Sequence, residues 1–313
     1  MKLKKKTCQI LVMGVRTPKL NMKDQSFEVK RFDLEDVEAF FKTICKLSDT
    51  DRVQDLGDRF IFLECFDDDY DNNFYTGWFV SARYGEITQL IDAKTLARRA
   101  NTKRITEGDE NRTYFVLDKS SGLFLLQSDN KRIVTGNAIN KYLYSKVDQF
   151  SSYINNFNKL NRKHLHITKE NFIQIDFDIS SVFMDEVRRL ARIKKMTIEC
   201  SVHEGASNDV LDAIQQQLEG IDNYDTVEYS VAIKERGLGM KKIEDFIQTL
   251  EQTELYRNLK VGGTTSFGRP RVVSWEKHAR KSEVQVLVNQ NGLIGQDDIL
   301  KKMIEVAKKE QSL

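Results

Sequence analysis

The sequence predicts an α+β fold in two domains, each a mixed or antiparallel sheet with packed helices. Three observations predict it. Strand-like runs with alternating apolar residues, such as Val227, Tyr229, Val231 and Ile233, stand among helix-like runs with apolar residues three to four apart. The segment 118–122, Asp-Lys-Ser-Ser-Gly, separates two strand-like runs as a hairpin turn. The texture then changes over 151–169, which is polar, Asn-rich and basic. With 313 residues there is enough chain for two ordinary domains, and 18 Phe supply their cores. We expect the N-terminal domain over residues 1–158 and the C-terminal domain over 159–313.

Residues 9–15 form the first strand, and 27–32 a second strand or an extended lead-in. The run 32–47 is the clearest helix. Asp33 stands at its N-cap, able to accept first-turn amides. Leu34, Val37, Phe40, Phe41, Ile44 and Leu47 share one face. Residues 59–66 and 74–84 pair around an acidic turn, and 114–117 and 123–127 pair around 118–122. A helix follows from about Asn137, with Ile139, Leu143, Val147 and Phe150 in register. In the second half, strands are expected at 172–177, 197–202, 226–233, near Leu259, at 271–275 and at 283–288. Helices are expected at 182–193, 208–218, 241–250 and from Asp297 to about Lys308.

The four cysteines, Cys8, Cys45, Cys65 and Cys200, are widely spaced and contain no CxxC pair. They imply neither zinc nor redox chemistry. The start MKLKKK resembles a signal n-region, but the apolar run after it covers only residues 9–15 and ends at Arg16. A reducing cytoplasm is the expected compartment. No stretch reaches the ~18 apolar residues of a membrane span.

Charge is the more informative property. The net charge is +2, and residues 1–158 hold 25 basic and 23 acidic side chains against 24 and 24 in the rest. Neither half is basic overall, so a polyanion surface has to come from local segregation. The richest segment is 257–281. It has seven basic residues, Arg257, Lys260, Arg269, Arg271, Lys277, Arg280 and Lys281, and one acid, Glu276. Strand geometry sets Arg269 and Arg271 on one face. Gly262, Gly263 and Gly268 permit backbone amides to approach a phosphate. A solvated hairpin without a ligand is the competing explanation. A second cluster lies in 94–104, with Lys94, Arg98, Arg99, Lys103 and Arg104 just before Glu107, Asp109 and Glu110. A third comprises Arg188, Arg189, Arg192, Lys194 and Lys195 at a helix end, where the dipole alone favours cations.

No catalytic motif is present. The run Asp67, Asp68, Asp69, Tyr70, Asp71 lacks the glycine and distal Glu of an EF-hand, and His164 and His166 have no third ligand. The segment 237–242, GLGMKK, is not a P-loop, and GxSxG, HExxH and kinase signatures are missing. No metal or other cofactor is expected, and no enzyme activity.

A wider pattern joins these pieces. TGNAINKYLYSKV follows the first hairpin, and DTVEYSVAIKERGLGMKKIEDFIQTL leads to the basic strand LYRNLKVGG. A distal hairpin contains VVSWEKHARKSEVQVLV. This order, over most of the chain, resembles the Rex-like phage-exclusion proteins of lambda-type phages and prophages (the Rex exclusion protein A type). It is more distantly similar to the Kiwa defence protein KwaB. The resemblance lies in the order of elements. It implies a dimer that binds double-stranded DNA, acts in phage exclusion and signals to a membrane-bound effector. Arg257 and Lys260 match the family's basic strand best, and the insert 262–268 departs from its pattern. The expected function is therefore non-enzymatic, largely sequence-independent double-stranded DNA binding by a homodimer. A scaffold component of a defence system and a metal-dependent nuclease are the alternatives.

Overall fold

In the computed structural model, residues 4–28, 31–177, 181–201, 226–233, 256–275 and 280–311 are described. The architecture is α+β, with antiparallel strand pairing throughout the described sheets. Its centre is β1 (Lys4–Arg16), longer at both ends than the strand expected at 9–15. One edge of β1 pairs with β9 (Leu123–Gln127), from Ile10↔Gln127 to Gly14↔Leu123. The opposite edge takes two partners in succession. Strand β16 (Lys281–Val288) runs along Lys4–Leu11, and β11 (Gln174–Phe177) runs along Met13–Arg16. The sheet continues from β9 through β8 (Asn111–Asp118), β5 (Phe74–Arg83) and β4 (Arg59–Asp71) to β3 (Gln54–Asp55). Strands from both sides of the expected 158/159 boundary thus share one sheet. The residues between β11 and β16 contribute a second, smaller one.

Both faces of the main sheet are covered. Met13 and Val15 of β1 join Leu63, Phe79, Phe115 and Phe124 on one face. Against it pack α1 (Leu34–Lys46), α3 (Gly136–Lys146) and α4 (Ser151–Leu160), with a 3₁₀ turn at Val147–Phe150. Between α1 and the strands, α2 (Asp49–Arg52) is a single turn capped by Ser48. Cys8, Ile10 and Val12 point the other way, onto α6 (Gln296–Glu310) through Leu300, Met303 and Ile304. The period-two alternation of β1 feeds both layers. Val37, Phe40, Phe41 and Ile44 of α1 are all fully buried, as their spacing predicts. Burial of each such side chain stabilises the fold by about 1.5–3 kcal/mol.

Two local expectations are corrected, and a third region gains detail. The Asp33 side chain makes no cap bond; its carboxylate instead faces Arg31 at 3.7 Å. The acidic run is not a turn, because Asp67–Asp71 extends β4, and the reversal falls at Asn72 and Asn73. The polar stretch after 150 holds a helix, α4, that buries Ile154 and half-buries Tyr153 and Phe157. The edge strand β11 is tied from outside the ladder. Asn140 of α3 donates to the Ile175 carbonyl and accepts from its amide, both at 2.8 Å.

The smaller sheet has the order β13-β12-β14-β15, with β12 (Arg192–Ser201), β13 (Thr226–Ala232), β14 (Tyr256–Thr264) and β15 (Pro270–Ser274). One face is covered by α5 (Ser181–Arg188), whose Phe183 and Val187 pack on Met196, Val261, Val273 and Trp275. Helix α5 is shorter than the helix expected at 182–193, because Arg192 and Ile193 already belong to β12. The helices expected at 208–218 and 241–250 lie outside the described residues. Two minor ladders complete the fold. They are β2 (Leu20–Asn21) with β10 (Leu165–His166), and β6 (Leu90–Ile91) with β7 (Arg98–Arg99).

The segment entering β2 carries the most costly polar group in the core. Lys19 is fully buried and ion-paired with Asp36 of α1, itself buried. Tyr153 of α4 donates to the same carboxylate at 2.6 Å, and the Lys19 ammonium lies 4.6 Å from the Phe157 ring centroid. Burial pushes Lys19 down to about 8, so it keeps its charge at neutral pH. Removing one partner leaves a buried charge uncompensated. Lys19→Met should therefore cost about 3–5 kcal/mol, and Lys19→Met with Asp36→Leu should recover most of that loss. Urea unfolding of the three proteins measures both differences.

Candidate nucleic-acid interface

The third basic cluster and part of the first meet at one end of the smaller sheet. The route is set by strand register. Arg192, opening β12, lies opposite Thr264, and Gly263 lies opposite Arg271. The Ala191 amide donates to the Thr264 carbonyl at 2.9 Å, fixing the end of α5 to the β14–β15 hairpin. The hairpin turn closes with Thr265 N–H to Arg269 O and Gly268 N–H to Thr265 O, each 2.9 Å. Gly268 adopts a positive φ of 73°, which a side chain would resist. Arg188, Arg189, Arg192, Arg269 and Arg271 therefore all lie at this end of the sheet, with Arg192 in the alternate pleat position to Arg271.

One carboxylate organises this end. Glu186 of α5 has a side chain only 8% exposed, yet it accepts from both Arg189 and Arg271. Arg189 remains 69% exposed and Arg271 43%, so each guanidinium keeps a solvent-facing side. Arg188 pairs with Asp185 at 3.1 Å. Among the described residues, Asp185 and Glu186 are the acids paired with these arginines, and Arg192 and Arg269 are exposed. The arrangement is a forked donor surface suited to phosphate oxygens. Glu186 was not anticipated from the sequence, although its three-residue spacing to Arg189 is a legible helix pair.

The remaining expected residues fall elsewhere. Cross-strand partners share a face, so Arg271 lies with Val273 on the α5 side, while Lys260, opposite Ser274, is on the other side and half-buried. The ridge expected from Arg257, Lys260, Arg269 and Arg271 is divided by the pleat. Arg257 lies in β14 with its side chain outside the described residues, as is all of Lys277. Arg280 and Lys281 belong to the main sheet. Arg280 pairs with Glu310 of α6 at 2.5 Å, and Lys281 lies opposite Leu11. The second cluster forms the separate β6–β7 arm, where Arg98 and Arg99 are exposed. Lys103 reaches Asp109 at 3.5 Å and Arg104 reaches Glu107 at 3.8 Å, as the neighbouring acids suggested.

Other candidate chemistry is accounted for locally. Asp67, Asp68 and Asp69 bring carboxylate oxygens within 4.8 Å of one another, but Lys42 already lies 3.1 Å from Asp68 and also pairs with Glu38. His166 contacts the Asn161 carbonyl at 3.1 Å. Cys8, Cys45 and Cys65 are free, and burial pushes the Cys45 and Cys65 thiols up to about 11, away from thiolate chemistry. The GLGMKK segment at 237–242 lies outside the described residues. Among the described residues, no helix is long and apolar enough to cross a membrane.

No protein-family model matches the chain, and no curated protein matches it either. The argument for function therefore rests on the arginine-rich end.

Of the two glycines of β14, Gly263 is needed for packing in this sheet. A Cβ on Gly263 would sit 2.3 Å from the Arg192 carbonyl oxygen, whereas one on Gly262 meets nothing closer than 3.7 Å. Gly263→Ala should force β14 away from Arg192 and destabilise the protein by about 1–3 kcal/mol, as overpacking does. Gly262→Ala should stay within about 0.5 kcal/mol of the parent. Parallel thermal melts distinguish the two.

Proposed function

We propose that the protein binds double-stranded nucleic acid through phosphate contacts, without catalysis and with little sequence preference. The observation that carries this reading is the gathering of Arg188, Arg189, Arg192, Arg269 and Arg271 at one end of the smaller sheet, where Glu186 holds Arg189 and Arg271. In a chain of net charge +2, so local an excess is an electrostatic footprint rather than a bulk property. Among the described residues no recognition helix stands beside these arginines, and binding is assigned to phosphate contacts rather than base readout. A homodimer fits the same reading. The β6–β7 arm exposes Ile91, Leu96 and Ile105 next to Arg98 and Arg99, a mixed apolar and basic surface suited to a second copy. The wider setting, phage exclusion with a membrane-bound effector, rests on the order of elements alone, and a cytoplasmic location rests on the widely spaced cysteines and the short apolar run after the basic start.

The test is a salt titration of binding to random-sequence duplex DNA. Each phosphate neutralised adds about −0.9 to the slope of log K against log salt. Charge reversal of Arg189, Arg192 and Arg269 should weaken binding to every duplex alike and flatten the slope by roughly 2 to 3. Unchanged affinity in the triple variant overturns the assignment. Absence of any binding by the wild type at low salt instead favours the scaffold alternative.

Glu186 offers a test of opposite sign. Glu186→Gln removes the charge that competes for Arg189 and Arg271. Duplex DNA should then bind about threefold to tenfold more tightly at low salt, an advantage that fades as salt screens the surface. A gel-shift series, with melting curves to confirm folding, reads both effects.

A further inference from the structure

The hairpin tip carries a side chain that folding does not explain. Phe267 is 87% exposed, the most exposed of the large apolar residues among those described. It does not hang on a loose loop. The turn around it is closed by the Thr265 and Arg269 backbone bond and by the Gly268 amide, and Gly268 holds the positive φ that the reversal needs. An aromatic ring left in water on a tied turn gains no burial on folding and keeps its whole face free for a ligand. Its surroundings are cationic. Arg269 follows two residues later, and Arg271, Arg189 and Arg192 lie along the same end of the sheet.

We infer that Phe267 is a base-stacking wedge, on the reading that this end of the sheet binds duplex nucleic acid. The chemistry of the two parts is complementary. Guanidinium groups hold phosphate backbones, while an apolar ring at a projecting tip inserts at a base step from the minor groove. The ring has a π-face available to any base, so the contact adds affinity without adding sequence preference. The ring, rather than the arginines, then determines whether the duplex is locally unstacked. Gly268 and the closed turn keep the wedge pre-positioned, which limits the ordering entropy lost on binding.

The experiment uses the full chain and a short random-sequence duplex containing 2-aminopurine, whose emission rises when it is unstacked. Wild-type protein should raise the emission on binding. Phe267→Ala should abolish the rise and weaken binding by about 5-fold to 100-fold, the range of one lost base–aromatic stack. Its salt slope should not change, because no phosphate contact is removed. Phe267→Trp should restore both the emission and the affinity. Melting curves of each variant check folding, and an exposed tip should leave them unchanged. If Phe267→Ala binds as tightly as the wild type and raises emission equally, the wedge is wrong while the phosphate surface stands. Phosphate-dependent binding by the wild type with no emission rise has the same meaning. If the wild type binds no duplex at low salt, the surface assignment fails first and the wedge with it. Anionic lipid vesicles are the control. Binding to vesicles that depends on Phe267, without binding to the duplex, overturns the inference in favour of a membrane contact.

Discussion

Strand β1 is the constraint on which the other elements depend. It is long, it is central, and both of its faces are buried. An antiparallel strand more often keeps one face wet. Here Met13 and Val15 require the α1, α3 and α4 layer, while Cys8, Ile10 and Val12 require α6. One edge requires β9 and the other requires both β11 and β16. Three distant parts of the chain must therefore arrive together before β1 is satisfied. The smaller sheet enters between two of them, after β11 and before β16. Its placement follows from the pairing of β1, since the chain leaves and returns along the same strand edge.

The ion pair of Lys19 and Asp36 belongs to the same constraint. The chain leaving β1 passes beneath α1 and α4 and reaches β2 only after Lys19 is buried. A buried pair contributes little net stability over an apolar pair of equal volume. What it imposes is registry, because Asp36, Tyr153 and Phe157 accept an ammonium in one place only. The far end of the molecule uses charge differently. Glu186 is buried but its partners are not, so α5 and β15 are joined while the outer sides of two guanidinium groups stay available. A buried carboxylate can thus hold cations in position for an external anion at the cost of part of their charge.

Much of this architecture was legible because it is local. The three-to-four spacing of Val37, Phe40, Phe41 and Ile44 identified α1, and Asp118–Gly122 identified the β8–β9 turn. Pairing between distant strands was not legible. Nothing in residues 281–288 specifies β1 as their partner. The basic segment shows the same division. Its composition located the β14–β15 hairpin, but residue counting could not foresee that the pleat would place Lys260 and Arg271 on opposite faces. Nor could it foresee that Arg280 would be drawn to Glu310 on the main sheet. The bulge between Ile193 and Lys195 also shifts β12 against β14, and such register changes have no reliable sequence signal.

Charge segregation and fold are linked through the short length of α5. A helix continuing to Ile193 would keep Arg192 on its own surface, three residues beyond Arg189. Ending at Arg188 instead lets the chain turn at Leu190, whose buried side chain anchors the bend. Arg192 then starts a strand opposite Thr264, beside the hairpin that carries Arg269 and Arg271. The close approach at Gly263 is what permits that pairing, since any side chain there would meet the Arg192 carbonyl. One helix stop and one glycine therefore bring two separate runs of basic residues to one end of the sheet. The electrostatic consequence is local, because charges farther apart than about 8–10 Å are largely screened at physiological salt.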